Sequence, residues 1–228
     1  EWLVKDNEKG DTYLVKKEQD TYRVLKPTII TADGGGVAIA VGATAGQKAA
    51  GALSVGVSTA DNFIHNAIKA YIDNSGVPNP GATSVRASGD ITLSSTSMAQ
   101  IESLTIGGGI AVGASGGGAG FAGAAGGAAA YNKMQNTIES FMKGVGTITS
   151  SNGNLTLTAT DSAAILADAV GASIAVGASG ASYGGALSIG VSIAENIISN
   201  ETRAYIDNSG LPDSEKTIEL NAGNVSIL

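Results

Sequence analysis

The sequence predicts an all-β repeat chain: a stacked β-solenoid, or in the alternative a β-sandwich of glycine-rich hairpins, preceded by a small β-meander. Three observations carry this. From residue 28 onward the chain repeats itself at intervals of 64–71 residues. Its apolar residues alternate with small or polar ones at period two, the mark of a strand. Long stretches made mostly of Gly, Ala and Ser hold no charge at all. Self-similarity at such periods belongs to stacked architectures whose neighbouring units share one core.

Residues 1–27 stand apart as a non-repeat module. Residues 1–26 hold 12 of the 33 charged residues. Thr12-Tyr13-Leu14-Val15 and Thr21-Tyr22-Arg23-Val24-Leu25 are β-branched or aromatic runs, each following a turn-like polar cluster. With Trp2-Leu3-Val4 they predict three short strands, and Pro27 punctuates their end.

The repetitive region, residues 28–228, divides into three units at approximately 28–93, 94–157 and 158–228. Ile-Ala-Val-Gly-Ala recurs at Ile39, Ile110 and Ile174, and an Asn follows each copy at Asn62, Asn132 and Asn196. A Gly-Asp/Asn marker begins at Gly89, Gly153 and Gly223. These six Asn and Gly residues are the candidate structural repeat positions. The Asn side chains are expected at a turn, bonding backbone groups and stacking as a ladder on successive layers. Copies one and three are the most alike. The middle copy lacks six residues where the others carry Asp-Asn-Ser-Gly-x-Pro, which reads as a surface loop.

Leu187, Ile189, Val191 and Ile193 alternate with Ser188, Gly190, Ser192 and Ala194, so the first set is expected to face a core. Helix competes only around Ile64–Ile72 and Ala128–Met142, where strand is preferred because Tyr-Ile-Asp-Asn-Ser-Gly looks like a strand entering a turn. Residues 104–132 and 169–194 are uncharged and longer than a membrane helix, yet alternate too regularly to be one. Close packing of sheets explains their Gly and Ala better. A unit of this length is expected to hold about three turns, giving roughly nine turns and a rod ~45 Å long. In the hairpin alternative, each Ile-Ala-Val-Gly-Ala strand would pair antiparallel with the next Leu-Ser-Val/Ile-Gly-Val strand.

Gly-Ala-Leu-Ser-Val-Gly-Val-Ser-Thr-Ala-Asp-Asn-Phe, Ala-Tyr-Ile-Asp-Asn-Ser and Ala-Ser-Gly-Asp-Ile-Thr-Leu together resemble giant bacterial repeat proteins. These are the filamentous-haemagglutinin-like and leukotoxin-type filamentous adhesins. The resemblance covers roughly residues 28–228, and residues 12–29 look like the module preceding such arrays. It implies a right-handed parallel β-helix, export to the bacterial cell surface, and a structural or adhesive role without catalytic residues. The implied partners are neighbouring repeats of the same chain and a host, surface or matrix ligand.

Composition narrows the function classes. A net charge of -7 argues against nucleic acid and against docking on anionic lipid. With no Cys, disulfides cannot hold the fold. The first residue is Glu1 and the last five read as mid-strand, so both ends are read as boundaries inside a longer protein. The single His, His65, aligns with Gln135 and Ser199 and reads as a surface residue rather than a base. Gly34-Gly35-Gly36 and Gly107-Gly108-Gly109 lack the Gly-Lys-Ser/Thr of a phosphate loop, so packing is their expected role. Asp73-Asn74, Asp207-Asn208, Asp213 and Glu215 offer oxygens that read as turn formers before calcium ligands. No catalytic, cofactor-binding or metal-binding residue is expected. A carbohydrate- or ice-binding module is the alternative function; regular Thr arrays would favour ice, and the Thr ladder is only partial (Thr92, Thr156, then Ser226). A polysaccharide-active enzyme on a β-helix scaffold is the third.

Overall fold

A computed structural model describes residues 2–5, 12–18, 21–25, 27–74, 84–209 and 218–228, with side chains from residue 28 on. Strands β1 (Trp2–Lys5), β2 (Thr12–Glu18) and β3 (Thr21–Leu25) pair antiparallel in order. Trp2 pairs with Val15 and Leu14 with Leu25, which is the meander the two apolar runs predict.

Every strand after this pairs in parallel, and no helix occurs among the described residues. The first repeat supplies β4 (Pro27–Thr44), β5 (Ala50–Ile64), β6 (Ala67–Asp73) and β7 (Ser84–Ala87). The second supplies β8 (Ile91–Ser115), β9 (Gly120–Met134), β10 (Thr137–Lys143) and β11 (Thr147–Ser150). The third begins in β12 (Leu155–Asp161) and continues through β13 (Ala164–Ser179), β14 (Gly184–Ile198), β15 (Glu201–Asp207) and β16 (Glu219–Asn221) to β17 (Val225–Ile227). The stretches with competing helical spacing are strands β6, β9 and β10.

Each strand lies beside its own counterpart in the next repeat. Ile39 pairs with Ile110 and Ile110 with Ile174; Ala70 pairs with Ser140 and Ser140 with Ala204. The parallel all-β arrangement is consistent with a β-solenoid. It corrects the expected dimensions, because one repeat forms one layer rather than three turns. The stack is three strands deep, not a nine-turn rod. Twenty-residue turns fail here because two strands of each unit are unusually long: β9 has 15 residues and β8 has 25. The hairpin alternative also falls. Strands β4 and β5 belong to different sheets and meet face to face, not edge to edge.

Each layer has a wide part and a thin part. In the wide part, Met142, Val145, Ile148, Leu155 and Leu157 are buried with Ile91 and Leu93 in one aliphatic core. A second cluster of Ile64, Ala99, Ile101 and Met134 fills the junction. Beyond it the sheet of β4, β8 and β13 runs out against the sheet of β5, β9 and β14 as a two-layered blade, whose interior is Ala111, Ala122 and Ala124 among glycines. The two sheets approach until no larger side chain fits. A Cβ placed on Gly107 would lie 1.6 Å from the carbonyl oxygen of Gly127, and one on Gly113 would lie 1.9 Å from that of Phe121. Sheets packed through ordinary side chains stand ~10 Å apart.

This spacing decides which face of each strand is inside. Gly, Ala and Ser take the interior, and the large aliphatic residues point to solvent. Leu187, Ile189, Val191 and Ile193 are 51–65% exposed, so the expectation that they face a core is corrected. Their Ser and Gly neighbours face the opposite sheet instead, as the bond between Ser173 and Ser188 across the blade shows (2.7 Å), although in this outermost layer they too are exposed. A two-residue period names two faces but does not say which is buried.

The predicted surface loop of copies one and three starts at Asp73-Asn74 and at Asp207-Asn208-Ser209, and its remaining residues, from 75 and from 210, lie outside the described residues. In the middle copy the same corner is closed by Gly144, whose φ of 67° lies in the left-handed region that glycine adopts without strain.

Candidate functional site

The surface features that could act on a partner are the two outer faces of the blade. On the first face, Ile39, Ile110 and Ile174 form one row across the layers, and Val41, Val112 and Val176 form the next. Ile39 is 70% and Val41 71% exposed. On the second face, Leu53, Val55 and Val57 flank Gly123, Ala125 and Gly127, with Leu187, Ile189 and Val191 on the far side. In the middle layer, residues 103–132 carry no charge on either face or at the tip. Charge returns at the blade's base: Asp33, Glu102 and Asp168 on one face, Asp61, Lys133 and Glu195 on the other. Ten strand residues, Ile106–Ser115, give the uncharged part of the middle layer a depth of ~33 Å.

Polar ladders hold the layers in register behind this surface. Asn62, Asn132 and Asn196 occupy one position on three adjacent strands, and the amides of Asn62 and Asn132 donate to the side-chain oxygens of Asn132 and Asn196 (2.8 and 2.9 Å). They lie within strands rather than at the expected turn and bond each other rather than backbone. The ladder stands where the blade's small-residue interior widens toward Ile64 and Met134. Asn136 and Asn200 make a second ladder at the bend, receiving the backbone N–H groups of Asn66 and Asn136 at 2.9 and 2.8 Å.

The Gly marker sits at another corner. Gly223 N–H donates to the Gly153 carbonyl (2.9 Å), and a Cβ on Gly153 would meet the backbone of Gly89 and Asp90 at 2.4 Å. Gly89 has open space where its Cβ would be. The residues after the glycines carry the bonding, with Asn154 N–H donating to Asp90 Oδ1 (2.7 Å) and Asn224 N–H to Asn154 Oδ1 (3.1 Å).

Two ladders on the outer face of β6, β10 and β15 escaped sequence reading. Glu139 is nearly buried between Lys69 (2.7 Å) and Arg203 (3.8 Å). Beside it the rings of Tyr71, Phe141 and Tyr205 stack at 5.2 and 5.1 Å, nearly parallel. The repeat alignment held the signal: positions 69, 139 and 203 align, as do 71, 141 and 205. The Glu139 carboxylate raises the pKa of Lys69, by hydrogen bonding first and charge second. Partial burial, then the Glu139 charge, raises that of Tyr205.

The remaining candidates are dispersed. His65 is exposed at the bend and stacks loosely on Phe63, ring centres 6.1 Å apart. Gly36, Gly107 and Gly109 serve the close sheet contact. Asp207 accepts from the Ser209 backbone N–H (2.8 Å) as an Asx turn, and Ser209 lowers its pKa. Asp213 and Glu215 lie outside the described residues. No group of three or more His, Cys, Asp or Glu able to hold a metal ion occurs among the described residues. No helix among them is long and apolar enough to cross a membrane. No family model, curated protein or solved structure matches the chain.

Proposed function

We propose that the chain is a structural and adhesive repeat segment of a very large exported bacterial surface protein, with a mechanical rather than catalytic role. The observation that carries this reading is the blade. Each layer repeats a two-strand excursion rigidly backed by glycine packing, and the outside of the blade is rich in aliphatic residues and uncharged over residues 103–132 of the middle layer. A soluble monomer rarely leaves a contiguous apolar patch of more than a few hundred Å² on its surface, and such patches mark contact sites. The wide part of each layer acts as a spine, while the blade presents the adhesive surface to host, matrix or neighbouring material. The ladders keep successive blades aligned, so contact area grows with the number of layers.

Retention on octyl-derivatised beads tests this reading. Ile110→Lys together with Ile174→Lys places two cations on an outer face without touching the interior. The double variant is expected to elute at least about tenfold more readily while melting within a few degrees of the parent. Equal retention of folded variant and parent would remove the adhesive role from this face.

A second reading, binding of ice or an ordered polysaccharide, has one observation in its favour. Thr92, Thr156 and Ser226 form a row across the layers, and Thr96 beside Thr160 forms another on the same face. Inhibition of ice recrystallisation by the chain, lost on Thr156→Val, would move the active surface from the blade to this face.

A further inference from the structure

The three layers are of two kinds, and the pattern alternates. Lys69 and Arg203 flank Glu139, while Asp73 and Asp207 flank Lys143. Asp33 and Asp168 flank Leu104; Asp61 and Glu195 flank Tyr131. At all four positions the outer layers share a sign, and the middle layer has the opposite sign or none. Volume alternates as well: on one blade face the middle layer has Gly123, Ala125 and Gly127 where its neighbours have Leu, Val or Ile.

The third layer ends in an open edge. Strands β13, β14 and β15 each lie at the end of their sheet, with a neighbour on one side only among the described strands. A shallow hollow of Thr202, Arg203, Ala204, Tyr205 and Asp207 lies along β15. Unpaired edges of this length recruit another strand unless charge or covering prevents it.

We infer that this edge accepts a further repeat of the middle type and rejects a layer of the outer type. A middle-type layer brings an acid beside Arg203, an aromatic ring onto Tyr205, a base beside Asp207 and small residues beside Leu187 and Val191. An outer-type layer, such as the first layer of a second copy, sets Arg203 against Lys69, Asp207 against Asp73, Asp168 against Asp33 and Glu195 against Asp61. Like charges directly opposite on neighbouring strands are destabilising. Charge therefore fixes the order of layers and blocks head-to-tail growth of separate chains. This inference rests on the proposal that the chain is one segment of a longer stack.

Two extensions of the full chain test it. One continues Leu228 with a second copy of residues 95–158, the middle type; the other continues it with a second copy of 159–228, the outer type. Both join in register, since Leu157 pairs with both Leu93 and Ile227. Amide exchange along Arg203–Asp207 is the readout. The middle-type extension is expected to slow it at least about tenfold, and the outer-type extension by less than about threefold. Equal protection by both, or none from the middle type, overturns the inference. So does concentration-dependent head-to-tail growth of the unextended chain in sedimentation. Bead retention reads the blade face and exchange reads the edge, so either result can fail while the other stands.

Discussion

At the residue scale, the fold turns on where a Cβ is forbidden. Gly107 and Ile110 lie three positions apart on β8, one facing the opposite sheet's backbone and the other half-exposed on the outer face. Their substitution costs should therefore invert the usual ranking. Gly107→Val forces the sheets apart and is expected to cost about 3 kcal/mol or more, at or above the upper end for overpacking. Ile110→Ser removes a large apolar side chain yet is expected to cost under about 2 kcal/mol, as at a half-exposed site. Urea unfolding of the two variants gives the comparison, and an Ile110→Ser variant less stable than Gly107→Val would contradict the burial described here. Sequence reading identified which residues alternate but assigned Leu187 and its neighbours to the wrong side. Hydrophobicity argues for burying the larger set, and only the Gly-to-carbonyl distances reveal that the interior has no room for it.

At the element scale, β10 shows how one strand ties three layers. Glu139 pairs above and below, and Phe141 stacks above and below. The same sheet predicts a pH dependence at both extremes. Asp207 has a lowered pKa in the folded chain, so its contribution is present above the ordinary carboxyl value of 3.8 and fades as pH falls through the folded value. Lys69 has a raised pKa, so its contribution is complete below 10.5 and fades as pH rises through the folded value. Both groups are solvent-accessible, and screening keeps each effect small. Asp207→Asn should narrow its deficit against the parent in acid, and Lys69→Met should narrow its deficit in alkali. Unfolding free energies measured across the pH range check both signs; deficits that stay constant would show that neither ionisation is linked to folding. These ladders were legible only by superposing the repeats, since a lone Glu and a lone Phe carry no signal in one copy.

At the scale of the whole molecule, the sequence was legible in its class and in the alignment of its repeats. The recurring Ile-Ala-Val-Gly-Ala and Asn positions are the very ones that pair, so self-similarity translated directly into register. The number of layers was not legible. Unit length alone cannot distinguish three short turns from one long one, because nothing local marks a strand that runs through the spine into a blade. The candidate site was hidden for the same reason: its surface exists only once β8 and β9 stack face to face. One repeat forms one layer, with its large aliphatic residues outward, and the whole architecture depends on this. The chain has no Cys, so a paired substitution reads this cleanly. Ile39→Cys with Ile110→Cys places two thiols on adjacent parallel strands ~4.8 Å apart, within disulfide reach and facing solvent. Mild oxidation is expected to join them within one chain, and the reduced thiols should react as exposed groups. Three turns per repeat would separate them by ~14 Å, and failure to form that bond would contradict the fold proposed for this chain.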